Sequence, residues 1–366
     1  MKGPVFFIAG GGTGGHIFPA LAIGEALGEL CPDARIFYVG TRYGMEGRIL
    51  GERGLPLLTL PMRGFLGKSL FQRLALLYRI PASLFLAFAL ILRQRPRAVV
   101  GVGGYASLPL VAAAICWRVP FMLQEQNAVP GMANRLLSRW ARVACLGMPE
   151  PQQHLKCRCI VTGNPIRRAF HLLPAWSPQR RQILVLGGSQ GSAALNRTLP
   201  NVLAGLPSLA GYTILHQCGA AHQEAVGAAY QAAGLPAQVV SFVEDMPACL
   251  AQTLLVISRA GASTIAEIEA AALPAILVPL PNATHDHQMA NAASLAGRGA
   301  ARIVVEGELA QSGELLTNLL ANPALLSEMS QAHRHRQTPA AVQCAEMLLS
   351  LRQLAKRKDL PHVSQN

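Results

Sequence analysis

The chain has 366 residues, 51% hydrophobic and 14% charged, which excludes a disordered chain and leaves room for two cores at roughly 100–200 residues per domain. Its net charge of +13 is uneven: residues 1–165 hold 18 Lys/Arg against 7 Asp/Glu, and residues 166–366 hold 14 against 12. A basic first half points to an anionic partner, a phosphate or a membrane surface, while the lack of an aromatic-plus-basic module argues against nucleic acid.

In chain order, Val5–Ala9 is too short for a signal-peptide core and stops at a glycine cluster, so it reads as a first strand. Arg35–Val39, Ala98–Val102, Phe121–Leu123 and Arg142–Leu146 follow as strands. Helical patterns separate them: Phe18–Glu29, Met45–Arg53, Lys68–Leu92, Ser107–Trp117 and Met132–Trp140. This alternation predicts a parallel sheet with helices on both faces. Within the apolar stretch Leu74–Leu92, Arg79 and Pro81 leave only Ala82–Leu92 uninterrupted. That is about 16 Å of helix, too short for a ~30 Å hydrocarbon core. Leu84, Phe85, Phe88 and Leu92 recur there at helical spacing, flanked by Arg73, Arg79, Arg93, Arg95 and Arg97. Such a stripe is either ordinary core or an interfacial patch that meets anionic headgroups. Of the eight cysteines, Cys157-x-Cys159 stands alone without a second pair at zinc-finger spacing, and the scattered Cys31, Cys116, Cys145, Cys218, Cys249 and Cys344 read as small buried hydrophobes, as fits a reducing cytosol.

After Ser177 the pattern restarts. Strands are expected at Gln182–Leu186, Tyr212–His216, Val239–Phe242, Leu254–Ile257, Ala275–Val278 and Ala301–Val304, with a helix over Ser192–Ala204. The fold class is therefore α/β, with two Rossmann-like halves, 1–163 and 164–366, facing each other. Gly163-Asn164-Pro165 is the expected hinge, about which the halves close over a ligand. Thr338–Lys358 reads as a helix free to pack back toward the first half, and the last eight residues as frayed.

Four segments carry chemistry. Gly10-Gly11-Gly12-Thr13-Gly14-Gly15-His16 follows the first strand and opens a helix, so its amides suit an anion. It meets G-x-G-x-x-G, but the second strand ends Tyr38-Val39-Gly40-Thr41-Arg42, without the acid that a dinucleotide ribose needs. That argues against a nicotinamide dehydrogenase. His16 suits acid–base work, and the positive helix end should keep its ring neutral. Gly187-Gly188-Ser189-Gln190-Gly191-Ser192 repeats the loop with hydroxyls for phosphate oxygens. Ser258–Glu267 leads a strand through small residues into a helix, where Glu267 can accept both hydroxyls of a ribose or simply complement the helix dipole. His285-Asp286-His287-Gln288 has no third ligand nearby, and no Asp-x-Asp occurs, so no metal site is expected.

Eight ordered segments carry a resemblance: GGGTGGHIFP (10–19), GVGGYASLP (101–109), EQNAVPG (125–131), VTGNPIR (161–167), LGGSQGS (186–192), FVEDM (242–246), SRAGASTIAE (258–267) and HDHQMANA (285–292). With these the chain resembles the MurG family, the UDP-N-acetylglucosamine transferases of peptidoglycan synthesis that convert lipid I to lipid II. The resemblance implies a GT-B fold, two Rossmann-like domains with the site in a cleft. It implies inverting transfer from UDP-GlcNAc to the C4 hydroxyl of the muramyl sugar of undecaprenyl-linked lipid I, without metal or cofactor. Donor contacts would fall on Thr13, Gly14, Gly15, Asn127, Arg167, Ser189, Val243, Ala262, Ser263, Thr264, Ile265, Ala266, Glu267 and Gln288. Gly103, Gly104 and Tyr105 would meet the acceptor. His16 is the expected general base, with Glu125 as its rival. The family's setting implies a peripheral protein on the cytoplasmic side of the inner membrane, in contact with anionic lipids and with other cell-wall enzymes, and a role in cell shape and division. Two positions depart from the family's usual pattern: Gln124 stands where histidine is frequent, and Ala260 where serine is common. A UDP-GlcNAc 2-epimerase or a non-catalytic nucleotide-sugar-binding protein are the alternatives.

Overall fold

The computed structural model describes residues 3–11, 14–41, 45–62, 70–188, 190–207, 209–281, 286–334 and 338–354. The chain divides into two compact units, Met1–Arg167 with Thr338–Asn366, and Arg168–Gln337.

The first unit is built on a seven-stranded, all-parallel sheet: β1 (Val5–Ala9), β2 (Arg35–Thr41), β3 (Leu57–Leu60), β4 (Ala98–Gly101), β5 (Phe121–Glu125), β6 (Val143–Leu146) and β7 (Cys159–Val161). Their spatial order is β3-β2-β1-β4-β5-β6-β7. β1 is apolar throughout and buried on both sides, as a central parallel strand must be. Its register fixes the neighbours: Ala9 lies beside Val39 on one side and Gly101 on the other. The helices are α1 (Gly14–Leu30), α2 (Met45–Glu52), α3 (Leu70–Gln94), α4 (Ser107–Cys116) and α5 (Met132–Leu137). One face of the sheet is covered by α1 and by the last helix among the described residues, Ala340–Leu354, through Leu21, Leu27, Cys344, Leu348 and Leu351. The other face is covered by α3 and α4 through Ala87, Ile91, Leu110 and Ala114.

β3 and β7 are absent from the sequence-based strand set. Both are edge strands of three or four residues, only half-buried, so neither shows a long apolar run. Gly163-Asn164-Pro165 lies inside the first unit, shortly before its boundary at Arg167. Asn164 is buried, donates to the Gln126 carbonyl at 2.9 Å and accepts from Gln124 Nε2 at 3.2 Å. The apolar stripe of α3 is also divided differently. Its inward row is Ser83, Ala87 and Ile91, spaced one turn apart, while Phe85 is 74% and Leu92 52% exposed.

The second unit has six parallel strands, β8 (Gln182–Leu186), β9 (Thr213–Gln217), β10 (Gln238–Val240), β11 (Thr253–Ser258), β12 (Ala275–Leu277) and β13 (Ala301–Ile303), in the order β10-β9-β8-β11-β12-β13. Its helices include α6 (Ala193–Ala204), α7 (Gln223–Ala232), α8 (Met246–Gln252), α9 (Ala262–Ala270) and α10 (His287–Ala296). In both units strand order reverses between two central strands, β1 and β4 or β8 and β11. Ligands of open α/β sheets bind at that switch, beyond the carboxyl ends of the strands.

Candidate active site

In the first unit the switch point collects the loops after β1, β4 and β5. Gly10 and Gly11 leave β1, and α1 begins at Gly14. His16, in the first turn of α1, lies against the backbone that leaves β4. A Cβ on Gly103 would stand 3.0 Å from His16 Nε2, and one on Gly104 would stand 2.7 Å from the Gly11 carbonyl oxygen. Both glycines have positive φ, +96° and +76°, so the two loops approach this closely only because neither carries a side chain. Burial lowers the His16 imidazole to about 4, while Glu46 pulls the other way. The ring is thus neutral at pH 7, and desolvation is the first cause, rather than the helix end alone.

Glu46 is a residue that sequence reasoning passed over. It is fully buried at the start of α2, accepts from Thr41 N at 2.8 Å and Thr41 Oγ1 at 2.7 Å, and fills the space beside Gly11 and Gly40. Its only sequence signal was being the first acid after β2.

Glu125 closes β5 and is 2% exposed. Its Oε1 accepts from Asn127 N at 3.1 Å and Asn127 Nδ2 at 3.4 Å, and its Oε2 from Gly131 N at 3.0 Å and Asn134 Nδ2 at 2.9 Å. Burial raises its carboxyl above the usual range, and these bonds oppose the rise. The carboxylate therefore folds its own loop. Asn134, on α5, also escaped the sequence reading. It donates to Glu125 and to the Gln124 carbonyl, and it lies beside His16 across Gly103. Gln124, standing where histidine is frequent, is buried and bonded to Asn164 and Gln126. Tyr105 is half-buried just before α4, and Asn127 and Arg167 are half-buried; all three belong to the first unit.

In the second unit the switch point is a cavity of about 480 Å³, lined by Gly187, Gly188, Gly191, Arg259, Thr264 and Gln288 among others. Gly191, φ +77°, allows the loop to pass the Cys218 carbonyl, where a Cβ would clash. Ser192 caps α6 by accepting from Leu195 N at 3.4 Å. Beneath the loop, buried His216 bridges Tyr230 and Asn196 at 3.0 and 3.1 Å, and Asn196 in turn donates to the Cys218 carbonyl. Because Asn196 Oδ1 only accepts, His216 Nε2 carries the proton and its Nδ1 accepts from the Tyr230 hydroxyl. Gln288 Oε1 accepts from Ala260 N at 3.2 Å and Leu280 N at 3.0 Å, so its Nε2 is what it offers a ligand. Arg259 and Glu306, neither assigned a role from sequence, pair at 2.5 Å on the cavity wall. Ala262 to Glu267 form the first turns of α9, whose amino end has no side-chain cap, and the Ser263 hydroxyl is buried without a partner among the described residues. Val243 is buried on the loop after β10.

Thr13, Ser189 and His285 lie outside the described residues. The rest of the predicted site falls into two groups. Gly14, Gly15, His16, Gly103, Gly104, Tyr105, Glu125, Asn127 and Arg167 are in the first unit; Val243, Ala262 to Glu267 and Gln288 are in the second. Among the described residues no three His, Cys, Asp or Glu side chains stand together as a metal site.

Residues 6–145 match the glycosyltransferase family 28 N-terminal domain and residues 182–344 the family's C-terminal domain. A UDP-N-acetylglucosamine–N-acetylmuramyl-(pentapeptide) pyrophosphoryl-undecaprenol N-acetylglucosamine transferase of Syntrophotalea carbinolica is 39% identical, over 89% of this chain and 92% of its own. Its namesake in Alkalilimnicola ehrlichii is 42% identical, over 93% and 96%. Among solved structures, MurG of Acinetobacter baumannii superposes with a TM-score of 0.78 at 34% identity, over 95% of this chain and 99% of that one. A UDP-GlcNAc 2-epimerase of Neisseria meningitidis bound to UDP-GlcNAc shares the fold alone, with a TM-score of 0.63 at 13% identity over 98% and 100%.

Proposed function

The chain belongs to glycosyltransferase family 28 and has the GT-B fold, and from that premise we propose that it moves N-acetylglucosamine from UDP-GlcNAc to the muramyl sugar of undecaprenyl-linked lipid I, giving lipid II for peptidoglycan. The observation that carries this is 38–42% identity, across nine-tenths of the chain, to transferases bearing that name. The epimerase alternative has only the shared fold behind it.

The reaction is one displacement. The acceptor C4 oxygen attacks the anomeric carbon, the bond to UDP breaks, and the electron pair leaves on the β-phosphate. The acceptor proton passes to His16. Two facts favour His16 over Glu125. The ring is neutral at working pH and borders Gly103-Gly104, the proposed acceptor loop. Glu125, by contrast, has both oxygens committed to its own loop. In the second unit, the amino end of α9 and the glycine loop before α6 hold the diphosphate of the donor, Glu267 takes the ribose hydroxyls, and Gln288 Nε2 donates to the sugar nucleotide. No metal is assigned a part.

The protein works on the cytoplasmic face of the membrane, in cell-wall growth and hence in cell shape and division. Supporting peripheral attachment, Tyr78, Phe85, Leu86 and Leu92 on α3 are exposed, followed at once by Arg93 and Arg95. No helix among the described residues is long and apolar enough to cross a membrane.

The test is incubation with labelled UDP-GlcNAc, with and without lipid I, with and without EDTA. Label entering a lipid product in both EDTA arms is expected. Acceptor-independent conversion of the UDP-sugar to its 2-epimer would favour the epimerase, and loss of activity in EDTA would end the metal-free mechanism.

A further inference from the structure

The first unit holds a second cavity, of about 540 Å³, that the transfer reaction does not use. It lies at the opposite end of the sheet from His16 and Glu125. Arg97 immediately precedes β4, Arg142 precedes β6, and Arg118 lies in the turn between α4 and β5. Arg352 and Gln353 come from the last turn of the helix Ala340–Leu354, and Trp117, 45% exposed, completes the wall.

Four arginines thus line one space, and no carboxylate lines it among the described residues. Among the described residues none of the four makes an ion pair, although the same unit pairs Arg48 with Glu52 and Arg53 with Glu25. The Nε of Arg97 is buried and has no hydrogen-bond partner among the described residues. Arg118 holds a left-handed backbone, φ +53°, uncommon for a residue with a side chain. Helix-dipole compensation accounts for Arg118 and Arg352, which stand at helix carboxyl ends. It does not account for Arg97 and Arg142, which precede strands. Like charges gathered without counter-charge repel one another, and an anion that enters relieves the repulsion. Arginine's planar fork favours phosphate oxygens over a point anion such as chloride.

We propose that this arginine-lined cavity is a second anion site, which binds a phosphate group and is separate from the sugar-nucleotide loops. Its volume exceeds that of one phosphate, so the phosphate is carried as an ester or diphosphate, free in solution or on a lipid headgroup. The proposal does not depend on the transferase assignment.

The test uses the full chain saturated with UDP, so that the nucleotide loops are occupied. Arg118 and Arg142 are exposed, so the double variant Arg118→Ala/Arg142→Ala should fold, and Arg118→Lys/Arg142→Lys keeps the charge but not the fork. Inorganic pyrophosphate binding is measured by calorimetry at low salt. In parallel, sedimentation is measured with vesicles of phosphatidylcholine, alone or mixed with phosphatidylglycerol. A soluble ligand predicts pyrophosphate binding that weakens at least tenfold in the alanine variant and less in the lysine variant, with UDP affinity unchanged. A headgroup ligand predicts the same ranking in the phosphatidylglycerol arm only. Equal behaviour of wild type and alanine variant in both arms would overturn the proposal.

Discussion

Gly103→Ala puts a single methyl group between the two loops that place His16. Gly103 has φ +96°, and the new Cβ would stand 3.0 Å from both Cδ2 and Nε2 of the imidazole. The backbone costs about 1–3 kcal/mol for a left-handed alanine. The ring must retreat by a few tenths of an ångström. If a displacement of about 1 Å costs roughly 10²-fold, this smaller one should cost about 3- to 10-fold in turnover. Gly54→Ala is the control: φ is +63°, but nothing lies within 4 Å of its Cβ, so it carries the backbone cost alone. Both variants are measured for thermal midpoint and for transfer rate at saturating UDP-GlcNAc and lipid I. Gly103→Ala should lose at least as much stability as Gly54→Ala, and it alone loses kcat, with KM for UDP-GlcNAc unchanged. Equal kcat in the two variants would refute the view that the Gly103–His16 contact sets the chemistry.

Three further predictions concern other parts of the molecule. Burial holds His216 at about 4, below its unfolded value of about 6.5, so the unfolded chain takes up the proton first. Stability is full above pH 6.5 and falls as pH drops toward 4, by about 3 kcal/mol for this group; urea unfolding of His216→Gln should show a shallower fall than wild type, and an equally steep one would contradict the assignment. Glu267→Ala should weaken UDP by about 1.5–3 kcal/mol, the worth of a charged hydrogen-bond acceptor, and unchanged calorimetric affinity would remove Glu267 from the donor site. Phe85→Ala/Leu92→Ala should leave activity on a soluble acceptor analogue intact but reduce flotation with anionic vesicles; flotation equal to wild type would return α3's outer face to an ordinary solvent surface.

The central strands were legible because parallel strands buried on both faces read as unbroken apolar runs, as Phe6-Phe7-Ile8 and Leu254–Ile257 do. The short edges, β3 and β7, carry no such run. Glycine loops after first strands located both switch points, and glycine takes the positive φ seen at Gly191, and after β4 at Gly103 and Gly104, at the least steric cost. The supporting residues were not legible. Asn134, Glu46 and Arg259 act through contacts with residues 9, 5 and 47 positions away, and no local pattern marks such partners. The split of the α3 stripe was not legible either: its inward row uses Ser83 and Ala87, small residues that let the helix sit close to the sheet, while Phe88 packs on the core and Phe85 and Leu92 stay exposed.

The most direct test of the account is the turnover of His16→Ala in N-acetylglucosamine transfer to lipid I, read beside its affinity for UDP. Acid–base help is worth roughly 10²–10⁴-fold, so turnover should fall by that factor while UDP binds as in wild type. Near-normal turnover would contradict the role given to His16, and a dead Glu125→Gln beside it would move the base to Glu125.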